Sequence, residues 1–126
     1  TTTGRPRRCG WFDLPLAGKS VNLNGYTNMA LTKLDVLTGL NPLKLCIGYE
    51  IEGKQLDYPP ELSDELARCK PVYIELPGWR DDISDAESFP DLPENARLYV
   101  ELLEQLMGVD IEYVSVGPGR KQTFMK

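Results

Sequence analysis

The chain's 126 residues, 41% of them apolar and 26% charged, are enough for one domain with its own hydrophobic core. A net charge of −5 argues against non-specific binding to nucleic acid or anionic membranes, and the absence of histidine removes the commonest general base. No apolar run approaches the ~18 residues of a membrane span, and the wide spacing of Cys9, Cys46 and Cys69 argues against a zinc site or disulfide framework and for a reducing cytoplasm.

The N-terminus runs Thr1-Thr2-Thr3-Gly4-Arg5-Pro6-Arg7-Arg8, without initiator methionine or leader pattern, and reads as a cut through a larger protein. Hydroxyls at Thr2 and Thr3, bare backbone at Gly4, and Arg5 and Arg7 held apart by stiff Pro6 make either an anion clamp or an exposed basic tail. A guanidinium fork grips a carboxylate with two parallel hydrogen bonds, which a lysine cannot copy. Asp13 can cap a helix with Pro15 in its first turn, although Gly18 weakens the interior. Residues 26–34 read as a buried strand.

The exit of that strand, Thr32-Lys33-Leu34-Asp35, lies between the apolar runs 29–31 and 36–37. Open α/β sheets place ligands at strand exits. There an Asp carboxylate can accept from guanine N1–H and from the exocyclic amine, a donor pair that adenine lacks, while the Lys stem lies along base or ribose. A solvated charged turn is the alternative.

In Leu43-Lys44-Leu45-Cys46-Ile47-Gly48-Tyr49 the odd positions are apolar, which predicts a half-buried strand. A turn at Gly53-Lys54 predicts a hairpin into residues 55–58. Residues 61–69 read as a short helix, and 72–76 as a strand closed by Pro77-Gly78. In the acidic loop 80–91 the pairs Asp81/Asp82 and Asp85/Glu87 read as solvated. Asp91 with Glu94 predicts a capping box, with Pro93 in the first turn. Ala96, Tyr99, Val100, Leu103, Leu106 and Met107 recur at helical spacing, and Gly108 suits the position just past the helix end. Val109, Ile111 and Tyr113 alternate with Asp110 and Glu112, predicting a final strand. The fold class is α/β: a mixed sheet with a β-hairpin and a C-terminal strand–helix–strand crossover, right-handed, over residues 72–116.

Ser115-Val116-Gly117-Pro118-Gly119-Arg120 follows that strand. Two glycines let backbone N–H groups approach a base or ribose, or else form a plain turn. No Gly-x4-Gly-Lys-Ser/Thr loop and no Gly-x-Gly-x-x-Gly occurs.

Taken in order, Thr2-Thr3-Gly4-Arg5-Pro6-Arg7-Arg8-x-Gly10-Trp11, Leu31-Thr32-Lys33-Leu34-Asp35-Val36-Leu37, Lys44-Leu45-Cys46, Pro77-Gly78-Trp79 and Ser115-x-Gly117-Pro118 resemble the C-terminal part of adenylosuccinate synthetases across essentially the whole chain. The resemblance implies a GTP-dependent carbon–nitrogen ligase that joins L-aspartate to IMP through a 6-phosphoryl-IMP intermediate, on the route to AMP. It implies one C-terminal domain over residues 1–126, with an aspartate loop at 1–8, a guanine-binding segment at 32–35 and a base-contacting loop at 115–118. Aspartate and IMP would be held by Thr1, Thr2, Thr3, Gly4, Arg5, Pro6 and Arg7. GTP would be held by Arg7, Lys33, Leu34, Asp35, Ser115, Val116 and Gly117. The family's catalytic Asp and His, phosphate loop and Mg²⁺ ligands belong to its N-terminal part, so this chain alone is expected to be inactive and to hold no metal. A cytoplasmic homodimer without nucleic-acid or membrane partners is implied for the parent. Leu14-Pro15-Leu16-Ala17-Gly18-Lys19 departs from the family as a poor helix, and Arg8 and Arg120 receive no role. The alternative from another class is a non-catalytic guanine-nucleotide-binding or regulatory module.

Overall fold

In the computed structural model, which describes residues 4, 6, 8–61 and 63–126, Asp13 ends a short strand β1 (Phe12–Asp13) and caps the helix α1 (Leu14–Asn24). Its Oδ1 accepts the Leu16 N–H at 3.0 Å, Pro15 occupies the first turn, and Gly25 closes the helix at φ 65°. With both ends satisfied, the helix forms despite Gly18. Asp13 Oδ2 accepts from Tyr49 Oη, which ties α1 to the strand that carries Tyr49. Burial first, and then this hydrogen bond, raise the Tyr49 pKa well above the ordinary phenol range.

The first sheet is built on the long strand β3 (Leu43–Ile51). Strand β5 (Lys70–Leu76) pairs antiparallel along one edge of β3. The other edge is shared by β1, parallel at Leu45 and Cys46, and by β4 (Lys54–Leu56), antiparallel at residues 49–51. The predicted hairpin forms, but its turn is Glu52-Gly53 and not Gly53-Lys54, and β4 is shorter than the predicted 55–58. Both turn residues have positive φ, 51° and 82°, the twist that a two-residue hairpin loop requires. A register shift between Cys46 and Gly48 leaves Ile47 unpaired against β5, so Cys46 turns inward and Ile47 outward, against the odd-position alternation. Helix α2 (Ser63–Arg68) precedes β5.

The second sheet has the order β2 (Asn28–Leu31), β6 (Asp110–Ser115), β7 (Thr123–Met125). Strand β2 is shorter and less buried than the predicted 26–34, because among the described residues it pairs on one side only, with β6. The β2–β6 register slips at Glu112, so Ile111 and Val114 point into the core and Tyr113 points out, contrary to simple alternation. Strand β6 is not the last: β7 returns antiparallel beside it. Strands β5 and β6 lie in different sheets, so residues 72–116 are not a crossover within one sheet. Strand β5 is committed along its length to β3, and helix α3 (Glu94–Met107) carries the chain from one sheet to the other.

Helix α3 buries Ala96, Tyr99, Val100 and Leu103, one face at helical spacing, against Leu43 and Leu45 of the first sheet and Ile111, Val114 and Phe124 of the second. Leu106 lies outside this face and is exposed. The predicted capping box at Asp91 and Glu94 does not form. Asp91 Oδ2 instead accepts from the Ser88 N–H at 2.9 Å, the Ser88 hydroxyl at 2.8 Å and the Glu87 N–H at 3.2 Å, and Pro93 caps α3. These donors hold the Asp91 pKa below the usual carboxylate value, the Ser88 side chain most strongly.

The loop after β5 is strapped to residues 38–41. Gly78 N–H donates to Asn41 Oδ1 at 3.1 Å, Gly39 N–H to the Trp79 carbonyl at 2.8 Å, and the Trp79 indole N–H to Thr38 Oγ1 at 3.1 Å. A Cβ on Gly78 would stand 1.9 Å from the Leu40 carbonyl oxygen, so the strap needs a glycine there. Gly78→Ala is expected to destabilise the fold by about 1–3 kcal/mol, read as a lower denaturant midpoint. An unchanged midpoint would show that the strap adjusts freely.

Candidate functional site

Strands β2 and β6 are parallel neighbours, with Leu31 opposite Val114. Adjacent strands lie about 4.8 Å apart, so the segments that follow them leave the same sheet edge side by side. Residues 32–35 and 115–117 are therefore brought together, as one shared base would require.

Lys33 is exposed and left-handed, at φ 62° and ψ 37°, a conformation that costs a non-glycine residue roughly 1–2 kcal/mol. This kink opens a 3₁₀ helix (Leu34–Leu37). The Leu34 side chain is 1% exposed and anchors the turn in the core, so only its backbone can face a ligand. Asp35 is half-buried, and its Oδ1 is fully buried with no hydrogen-bond donor. Among the described residues it is the only buried side-chain nitrogen or oxygen in that condition. A buried acceptor left unpaired costs about 1–3 kcal/mol, more when charged. The far end of the 3₁₀ helix is pinned where Trp79 meets Thr38.

The segment joining β6 to β7 is a hairpin loop closed by the pair Ser115 and Thr123. Ser115 is 8% exposed, and its hydroxyl donates to the Gly117 carbonyl at 2.9 Å. The hydroxyl proton that the sequence offered to a ligand thus braces the loop. Val116 is fully buried, backbone included. Its N–H donates to the Gln122 carbonyl at 2.8 Å, and the Gly119 N–H donates to Gln122 Oε1 at 2.9 Å. Among the described residues no acceptor takes the Gly117 N–H. Gln122 and Trp79 both shape the site, and neither stood out as doing so in the sequence. Their partners lie in distant loops, and no local spacing announces them.

Residues 1, 2, 3, 5 and 7, and with them the hydroxyls and guanidinium groups of the expected anion clamp, lie outside the described residues. Gly4 and Pro6 are exposed, Gly4 with φ 67°. Arg8 and Arg120 are exposed. Asp81, Asp82, Asp85 and Glu87 are solvent-facing, and Asp82 Oδ1 accepts the Ser84 N–H at 2.9 Å. Among the described residues no group of three or more His, Cys, Asp or Glu side chains is placed to hold a metal ion. A cavity of about 290 Å³ lies away from both loops, between α3 and the end of β5, with Leu76, Pro77, Leu98 and Leu102 in its walls. Glu101 is its one charged lining residue, and no orphaned polar atom points into it. The unpaired acceptor, not the cavity, marks the candidate site.

A family model described as adenylosuccinate synthetase matches residues 1–124. The chain is 64% identical over 126 residues to an adenylosuccinate synthetase of Methanosarcina barkeri, covering 100% of this chain and 30% of that protein. It is 63% identical over 123 residues to one from Methanothrix thermoacetophila, covering 98% and 29%. A solved structure of fully ligated adenylosuccinate synthetase from Plasmodium falciparum is similar at a TM-score of 0.92 and 38% identity, over 99% of this chain and 30% of that one. The chain spans about 30% of the length of the curated relatives it matches.

The strain at Lys33 allows a direct test of whether its side chain serves the fold. Lys33→Gly relieves the left-handed penalty and adds chain entropy, so stability should stay level or rise by up to about 1 kcal/mol in urea denaturation. A clear loss of stability would show that the lysine side chain holds the turn.

Proposed function

The chain belongs to the adenylosuccinate synthetase family, and from that premise we propose that it is the part of such a ligase that reads the guanine of GTP and grips L-aspartate. The reaction is the condensation of IMP and L-aspartate to adenylosuccinate, with GTP going to GDP and phosphate. The observation that carries the guanine half is the buried, unpaired Asp35 Oδ1 at the shared exit of β2 and β6.

A guanine seated there would donate N1–H and its exocyclic amine to the Asp35 carboxylate, supplying the donors the fold withholds. Adenine presents a lone pair at N1 and would leave the carboxylate unpaired, which disfavours it by the cost of a buried orphan charge. Lys33, extended into solvent from its kinked backbone, is available to cover base or ribose. Across the gap the Gly117 N–H, without an acceptor among the described residues, would donate to guanine O6, and Ser115 and Val116 fix the loop behind it.

The aspartate half rests on the family match, which extends through residue 1. Thr1 to Thr3 would supply hydroxyl and backbone donors, and Arg5 and Arg7 guanidinium forks, to aspartate carboxylates and the IMP ribose. Phosphoryl transfer needs Mg²⁺ and phosphate-holding groups. Among the described residues no group of three or more His, Cys, Asp or Glu side chains is placed to hold that metal. Those groups belong to the portion of the family protein that this chain does not span, and the chain alone would bind without catalysing. The shared core of both sheets supports reading residues 1–126 as one domain. A cytoplasmic homodimer is proposed for the whole enzyme.

In the full-length protein, Asp35→Asn should lower kcat/KM for GTP about 10- to 100-fold, the loss of roughly 1–3 kcal/mol of charge-assisted hydrogen bonding. It should also admit xanthosine triphosphate, whose 2-carbonyl accepts from an Asn amide. Steady-state kinetics with both nucleotides decide it, and unchanged GTP kinetics would remove Asp35 as the base reader.

A further inference from the structure

We infer that Gln122 is the positioning residue of the base-facing loop, setting the shape of residues 115–119 and through it the affinity for the guanine nucleotide. This rests on the guanine reading of the site.

Gln122 makes four hydrogen bonds around one short loop. Its carbonyl accepts the Val116 N–H at 2.8 Å, and its own N–H donates to the Gly119 carbonyl at 3.0 Å. Its side-chain Oε1 accepts the Gly119 N–H at 2.9 Å, and its Nε2 donates to the Ser84 carbonyl at 3.0 Å. The last bond fastens the loop to a rigid support. Ser84 lies between Ile83 and Ala86, both buried in the core, and its own N–H is held by Asp82. The acidic loop, which reads as merely solvated, thus has a structural part in the site.

The amide also packs against both glycines. A Cβ on Gly117 would stand 2.4–2.5 Å from the Gln122 side-chain amide atoms, and one on Gly119 would stand 2.9 Å from Oε1. Neither glycine has positive φ, so a side chain there would strain no backbone but would push the Gln122 amide out of its hydrogen bonds. By taking the N–H groups of Val116 and Gly119, Gln122 leaves that of Gly117 as the loop's available donor. Gln122 touches no reacting atom in this scheme and acts only through the loop.

The test is made in the full-length protein. Gln122→Met keeps side-chain length and removes both side-chain hydrogen bonds. KM for GTP should rise about tenfold, the effect of one to two ordinary hydrogen bonds, while kcat and the KM values for IMP and aspartate stay within about twofold. Gln122→Glu, which keeps the acceptor for the Gly119 N–H, should recover part of the affinity, and it carries the test if the Met variant does not fold. Gly117→Ala should raise KM for GTP strongly beside Gln122 and only weakly in a Gln122→Ala background. A parallel loss in kcat and all three KM values would make Gln122 a general structural prop and overturn the inference. So would unchanged GTP kinetics in a protein whose Asp35→Asn variant is impaired. If Asp35→Asn is also without effect, the guanine reading has failed, and the inference with it.

Discussion

A carboxylate oxygen held out of water with no donor is a cost that a fold carries only when something outside it supplies the donor. Asp35 Oδ1 is in that position, and its surroundings keep it there. Leu34 is sunk in the core immediately before it, Lys33 bends the backbone into the left-handed region one step earlier, and the Trp79–Thr38 contact pins the turn beyond it. The backbone strain and the unsatisfied acceptor fall within three consecutive residues, which supports the proposed ligand site over a solvated strand end.

The sheet supplies the second wall. Parallel pairing of β2 with β6 delivers two loops to one edge, and the β6–β7 hairpin gives the second loop a short, closed form. Helix α3 packs against both sheets, so the strap after β5, the acidic loop and the β6–β7 loop are all referred to one core. The two loops are thereby tied to residues outside them, such as Gly78 and Ser84.

Much of this was legible in the chain of letters. The helical spacing of Ala96, Tyr99, Val100 and Leu103 and the Gly108 stop located α3, and the motifs at 32–35 and 115–117 located the two loops. What failed was phase and partnership. Bulges at Ile47 and Glu112 each shift a strand by one residue, so Cys46 and Val114 are inside where alternation put Ile47 and Tyr113. Strand β5 looked like the start of a crossover because sequence order does not say which sheet a strand joins. The sequence shows the Ser115 hydroxyl but not that its proton goes to the Gly117 carbonyl, two residues on. Gln122 carried no local signal, because its importance comes from Ser84, thirty-eight residues away.

The most direct measurement is a crystal structure of the full-length protein with GDP. The guanine N1 should lie within about 3 Å of Asp35 Oδ1, with the base between the exits of β2 and β6 and its O6 facing the Gly117 N–H. A guanine bound elsewhere, or an Asp35 Oδ1 satisfied by a protein donor while the nucleotide is bound, would contradict the central claim.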